Sequence, residues 1–190
     1  MTRPVGPLVA WLAAVLLAAC GTAPSSTDAP PLPTFDAVAA VAAVAAVAAI
    51  RAAGTADASE LDVQPLRDPQ VEDLRAQASA LETRRSYRAA AEALDAALAI
   101  NPDDPALLQE RAELALLLQR LPDAERYAQR AFATGSKVGP LCRRHWETIA
   151  QVRAGLAAAP APVTAVASTP TAEDARRQRD ACTVAAPNRY

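Results

Sequence analysis

A self-similarity with a period of 34 residues constrains this 190-residue chain more than any other feature. Leu74 aligns with Leu108, Ala78 with Ala112, Ala90 with Ala124 and Ala97 with Ala131, every pair 34 apart. The two copies are VEDLRAQASALETRRSYRAAAEALDAALAINPDD (71–104) and PALLQERAELALLLQRLPDAERYAQRAFATGSKV (105–138). A period of this length is expected of a two-helix solenoid unit, which buries its apolar face on its neighbours. Local signals agree. Asp68 can cap a helix that has Pro69 at its first position, and Asp104-Pro105 repeats the arrangement. Pro122 can start a fourth helix and Gly135 can end it. Helix pairs are therefore predicted at 69–83 with 86–100 and at 105–119 with 122–134. The predicted fold class is all-α.

The two units resemble the tetratricopeptide repeat. That family's pattern wants a small residue at position 8 (Ala78, Ala112), Ala at 20 (Ala90, Ala124), a bulky residue at 24 (Leu94), Ala at 27 (Ala97, Ala131) and Pro at 32 (Pro102). Small residues at 8 and 20 let the helices of a hairpin approach closely, and the one at 27 makes room for the next hairpin. The resemblance covers residues 71–138 and departs in places. Leu74 stands where Trp is often found, position 15 lacks its Gly, position 24 of the second unit is Ala128, and Gly135-Ser136 replaces the closing Pro. An Ala-rich helical bundle with accidental periodicity is the alternative. The resemblance implies a short helical-hairpin solenoid of about 2.5–3 repeats, with its helical domain over 68–156.

Continuing the register, Cys142 stands 34 residues after Leu108. The segment LCRRHWETIAQVRAG (141–155) reads as a first helix with Trp146 and Ile149 as apolar anchors. Trp146 falls at position 8, so this unit is expected to pack differently. A Pro/Ala/Thr insertion loop follows (157–170), then a short polar helix (171–183) with Thr171 or Thr169 as cap, and a tail (184–190). In an antiparallel hairpin of the family's kind, the start of the first helix lies beside the end of the second. That places Cys142 beside Cys182, as a disulfide closing an atypical third repeat. Free thiols and a redox pair are the alternatives, although catalytic pairs usually stand close in sequence.

The chain opens MTRPVGPLVAWLAAVLLAAC, with Arg3 ahead of an apolar run from Leu8 to Ala19. Twelve residues are too few for a membrane span of about 20 and suit a signal-peptide core. Leu17-Ala18-Ala19-Cys20 resembles the lipobox of bacterial lipoproteins. The resemblance implies a signal peptide over 1–19 and acylation of Cys20, three chains in all; two or more give stable anchoring. An uncleaved anchor or an ordinary secretory signal is the alternative. By the same analogy, Gly21 after the cysteine favours the outer membrane over the inner, with the domain in the periplasm, where disulfides persist.

Residues 20–67 read as lipid anchor and Ala/Pro-rich tether. Within them AVAAVAAVAAVAAI (37–50) carries a branched residue every third position, in a chain where 50 residues are Ala. Ala favours helix, but a three-residue spacing drifts around a 3.6-residue turn, so the valines form a spiral and no stable seam. The expectation is a semi-rigid spacer. The alternative is a segment lying on the membrane or packing on the domain.

Nothing here spells out chemistry. One His and three Cys leave too few ligands for a zinc site, and no metal or other cofactor is expected. A net charge of −2 gives no case for nucleic acid. The single histidine, His145, is expected on a helix surface or partly packed. Six glycines offer no phosphate loop, and no nucleophile–base set is present, so no enzyme is expected.

What remains is surface. The family's concave face maps onto Glu72, Arg75, Ser79 and Glu82, then Gln109, Glu113, Leu116 and Leu117, then Arg143, Glu147 and Gln151. Among these Arg75, Glu82, Gln109, Glu113, Leu116, Leu117, Arg143 and Glu147 form the candidate binding groove. The resemblances imply a lipid-anchored periplasmic protein that binds a protein or peptide partner, as a scaffold or assembly factor of the cell envelope. A tethered accessory regulator of a peptidoglycan enzyme is one alternative, and a thiol–disulfide participant using Cys142 and Cys182 is another.

Overall fold

The computed structural model describes residues 37–55, 68–158 and 170–183. The expected signal peptide, Cys20, most of the insertion loop and the tail lie outside the described residues. Seven α-helices and no strand occur among the described residues: α1 (Ala37–Ala53), α2 (Pro69–Thr83), α3 (Tyr87–Ile100), α4 (Pro105–Leu117), α5 (Leu121–Thr134), α6 (Pro140–Ala158) and α7 (Ala172–Ala181). The fold is all-α. Helices α2 to α7 form three successive hairpins, α2 with α3, α4 with α5 and α6 with α7.

The helix starts obey the capping chemistry. The Asp68 carboxylate accepts from the backbone N–H of Gln70 at 2.8 Å. Asp104 accepts from Ala106 at 2.8 Å and Leu107 at 3.1 Å. Pro69 and Pro105 follow these caps, where a missing N–H costs nothing. Thr171 and Asp174 form a reciprocal capping box at the start of α7. The backbone and hydroxyl of Thr171 hold the Asp174 carboxyl below its ordinary range.

The turns inside the first two hairpins are the same turn built twice. Arg85 has φ 60° and Gln119 has φ 59°, 34 residues apart. In each, the following N–H reaches back five residues, Ser86 to the Leu81 carbonyl at 2.9 Å and Arg120 to the Ala115 carbonyl at 2.8 Å. This left-handed helix ending is normally given to Gly. It falls at the position where the sequence lacks one.

Both members of each alanine pair lie inside. Ala78, Ala112, Ala90, Ala124, Ala97 and Ala131 are all buried, so alanines set the spacing between helices. Helix α4 is the centre, with α1, α3, α5 and α6 packed around it. Ten of its thirteen residues are buried, as expected of a helix covered on all sides.

Helix α1 departs from the expected spacer. It packs on α4 and α6, with Ala43, Val47 and Ile50 buried. Residues 37–53 therefore belong to the helical domain and not to the tether. The spiral of branched residues explains how a seam forms. It turns Val38, Val41 and Val44 to solvent and then brings Val47 and Ile50 into the main core beside Leu114, Leu116 and Leu117. Most helical stability in proteins comes from tertiary packing, and this 17-residue helix obtains it from α4 and α6.

Candidate functional site

The first helices of the three hairpins, α2, α4 and α6, were expected to present an open concave face. α1 lies against α4 and α6 on that side. Four of the residues expected to line an open groove, Gln109, Glu113, Leu116 and Leu117, are instead buried, at 0%, 0%, 2% and 4% exposure. Leu116 and Leu117 join the core that takes Val47 and Ile50.

Glu113 ties the three helices together. Its carboxylate accepts from Nε of Arg51 on α1 at 2.8 Å and from Nε of Arg144 on α6 at 3.1 Å. Gln109, one turn earlier on α4, donates to the same carboxylate at 2.9 Å and to the Thr148 hydroxyl at 2.8 Å. Burial opposes the Arg51 charge, and Glu113 and Glu82 more than offset it, so its pKa is raised. A buried carboxylate is stable only when charged and hydrogen-bonded partners surround it, and this one has both. Gly54 completes the arrangement at the end of α1. A Cβ there would clash with Cγ and Cδ of the Arg144 side chain that reaches Glu113, so a larger residue would force a shift.

His145 is fully buried, which corrects the expectation of a surface or partly packed ring. Gln109 already uses its amide nitrogen twice, so its carbonyl accepts, and the Nδ1–H of His145 donates to it at 2.7 Å. Nε2 of His145 has no hydrogen-bond partner. Burial, with Arg144 and Lys137 adding to it, pushes the pKa down to about 3, so the ring is neutral. Nδ1 anchors the ring to Gln109 inside the core.

The remaining groove candidates divide. Arg143 donates to the backbone carbonyls of Ala53 at 3.0 Å and Thr55 at 2.9 Å, holding the end of α1. Glu147 is buried and pairs with Arg179 of α7 at 2.6 Å, so it faces the last hairpin. Arg75 and Glu82 stay accessible. Arg75 bridges Glu72 and Glu110, and Glu82 meets Arg51. These residues border a polar cleft of about 540 Å³ with Ser79, Thr83 and Ala76, to which Arg51 and Gly54 at the end of α1 also contribute. Sequence reasoning missed Arg51 and Arg144, whose roles depend on α1 docking.

Cys142 and Cys182 are joined, with Cα atoms 5.8 Å apart. The N–H of Gly139, at φ 87°, donates to the Cys182 carbonyl at 2.8 Å, a second tie between α6 and α7. Trp146 lies edge-on to Phe132 of α5 at 5.0 Å and packs against the apolar cluster that holds Ile149, Ala150 and Ala175. Among the described residues no group of three or more His, Cys, Asp or Glu is placed to hold a metal ion. No helix there is long and apolar enough to cross a membrane.

No protein-family model matches the chain, and no curated protein matches it. A solved structure does: the globular C-terminal domain of P. aeruginosa LpoP, at 23% identity and a TM-score of 0.52. The similarity covers 60% of this chain and 99% of that one. At this identity the likeness establishes a shared all-helical fold.

Proposed function

We propose that the protein is a lipid-anchored periplasmic adaptor of the bacterial envelope, whose tetratricopeptide-type domain binds another envelope protein and performs no catalysis itself. The observation that carries this reading is the fold shared with LpoP's globular C-terminal domain, in a chain that opens with a lipobox-like Cys20. In both, a globular helical part belongs to the C-terminal side of a longer chain. Acylated Cys20 holds the protein to the outer membrane, facing the periplasm. The partner surface is the cleft bordered by Arg75, Glu82, Glu72 and Ser79, because α1 covers the rest of the concave face.

A second reading, the tethered accessory regulator of a peptidoglycan enzyme, is favoured by two features. The fold match supports it, and so does the segment between Cys20 and α1, which gives the domain reach from the membrane. The thiol–disulfide reading is disfavoured because Cys142 and Cys182 are buried, at 0% and 1% exposure, away from any attacking thiol.

The test is a cross-linked pull-down of the full chain from solubilised envelope beside Cys20→Ser, with proteins identified by mass spectrometry. One dominant partner, recovered with Cys20 intact and lost on Arg75→Glu, supports the adaptor. If that partner makes or trims peptidoglycan, the regulator reading stands. No enriched partner overturns both.

A further inference from the structure

We propose that the turn edge of the domain is a docking face for an anionic phospholipid surface, formed by the first turns of α1 and the arginines of the two repeated turns. The proposal rests on the lipid-anchored reading for its biological setting only; the face itself is argued from the geometry.

The apolar part is α1. Val38, Val41 and Val44 are 77%, 71% and 50% exposed. Few large apolar side chains among the described residues are exposed at all, and three of those six lie in succession here. Val41 and Val44 line a groove of about 920 Å³ whose far wall is the start of α3, with Arg85 and Arg88, and whose floor includes Leu117 and Leu118. A contiguous exposed apolar patch with a polar rim marks an interaction surface.

The charged part is selective. Most arginines among the described residues are paired with carboxylates, including Arg51, Arg75, Arg111, Arg144 and Arg153. Arg84, Arg85, Arg88 and Arg120 are exposed and take no part in any such pair. Arg84, Arg85 and Arg120 sit at the turns after α2 and α4, Arg88 stands in the first turn of α3, and Glu92 is the one carboxylate lining the groove. Among the described residues, the arginines elsewhere have partners and these four are left free at this edge. An apolar stripe beside unpaired arginines is the composition of an interfacial membrane surface. There each cation near an anionic surface adds attraction and each buried methylene adds hydrophobic transfer.

The choice of a membrane over an acidic protein comes from where the chain goes. Residue 37, the start of α1, belongs to this face, and 16 residues separate it from Cys20. At about 3.5 Å per residue the face stays within roughly 60 Å of the anchored cysteine. A bilayer is thus always within reach, so weak intrinsic affinity suffices through effective concentration. Docked this way, the opposite edge, with the Cys142–Cys182 tie, points away from the membrane, and the Arg75–Glu82 cleft on the side remains open.

The test uses the chain from residue 20 onward with Cys20→Ser, so that no acyl chain contributes. It is sedimented with vesicles of phosphatidylglycerol and phosphatidylethanolamine, and with vesicles of phosphatidylcholine alone. We expect binding to the first that weakens with added salt, and little to the second. Arg85→Gln with Arg88→Gln weakens it about tenfold or more, and Val41→Asp with Val44→Asp abolishes it. All four residues are at the surface, and unchanged helical circular dichroism and melting confirm folding. Absence of binding to anionic vesicles, or binding that ignores the arginine pair, overturns the proposal. If vesicles are not bound and the same variants abolish cross-linking to a protein partner, the face belongs to that partner and the proposal is wrong. Loss of acylation at Cys20 in cells would overturn the anchor and leave this measurement untouched.

Discussion

Arg51 of α1 donates to the fully buried carboxylate of Glu113 on α4 at 2.8 Å, across 62 residues of sequence. Arg144 of α6 meets the same carboxylate from the other side. One acidic side chain therefore ties α1 to both α4 and α6.

Removing that carboxylate leaves two arginines facing each other with nothing between them. Breaking a buried pair from one side costs about 3–5 kcal/mol, and the half exposure of Arg51 puts the effect toward the lower end. Glu113→Ala is expected to lower stability by roughly 3 kcal/mol in urea unfolding and to expose the chain around 51–55 to limited proteolysis. An unchanged urea midpoint with α1 still protected would show that the apolar contacts alone hold it.

The α1 spiral makes a paired comparison possible. Ile50 is fully buried and Val41 is 71% exposed on the same helix. Ile50→Ala is expected to cost about 2–5 kcal/mol through lost transfer energy and a cavity. Val41→Ala is expected to cost within about 0.5 kcal/mol, as other surface changes do. Equal effects of the two substitutions would mean that α1 does not dock by its Val47–Ile50 side.

Arg85 and Gln119 adopt the left-handed conformation that costs a residue with a Cβ about 1–2 kcal/mol. Glycine escapes this cost and loses about 0.5–1 kcal/mol through the entropy of the unfolded chain. Arg85→Gly and Gln119→Gly are each expected to stabilise by roughly 0.5 kcal/mol, and their effects should add, since the turns belong to separate hairpins. Thermal melting of the two single variants and the double variant checks both the sign and the additivity.

The Cys142–Cys182 bridge closes 41 residues, counting both cysteines, from a sequence separation of 40. A loop of that size is worth roughly 4 kcal/mol in the chain-entropy model. Cys142→Ser with Cys182→Ser is expected to lower stability by about that amount, acting on the α6–α7 hairpin before the rest. Hydrogen exchange on the double variant should find α7 opening first, with α2 to α5 protected as before.

His145 gives a pH dependence with a definite sign. Its folded pKa is about 3 against an ordinary 6.5, so the unfolded chain binds the extra proton between these values. Stability is therefore full above pH 6.5 and falls as pH drops toward 3. By linkage the loss between pH 7 and 5 is about 2 kcal/mol. Urea titrations of the protein and of His145→Asn at the two pH values isolate this share. If the loss between pH 7 and 5 were the same in both, burial of the neutral ring would not be its source.

Much of this protein was legible from local chemistry. The 34-residue spacing of Ala78, Ala90 and Ala97 with Ala112, Ala124 and Ala131 pointed to the hairpins, because small residues at a fixed period allow close approach of helices at that period. Asp68 and Asp104, each followed by proline, marked two helix starts to the residue. Cys142 and Cys182 could be placed together because an antiparallel hairpin brings its two ends side by side. The candidate groove was less legible. Arg75 and Glu82 remain at an open cleft, while Gln109, Glu113, Leu116 and Leu117 lie beneath a helix whose docking no local signal announced.

What the sequence by itself determined is whatever depends on neighbours along the chain: helix content, caps, turns and the period of the hairpins. Only the tertiary structure decided the fate of residues 37–53. A branched residue every third position winds around the helix and offers each direction equally, so periodicity cannot say which face is buried. The face was chosen by partners far away in sequence: Leu114, Leu116 and Leu117 for Val47 and Ile50, and Glu113 for Arg51. The same choice turned Val38, Val41 and Val44 outward. Burial and charge pairing are long-range properties, and they made a low-complexity segment into part of the core.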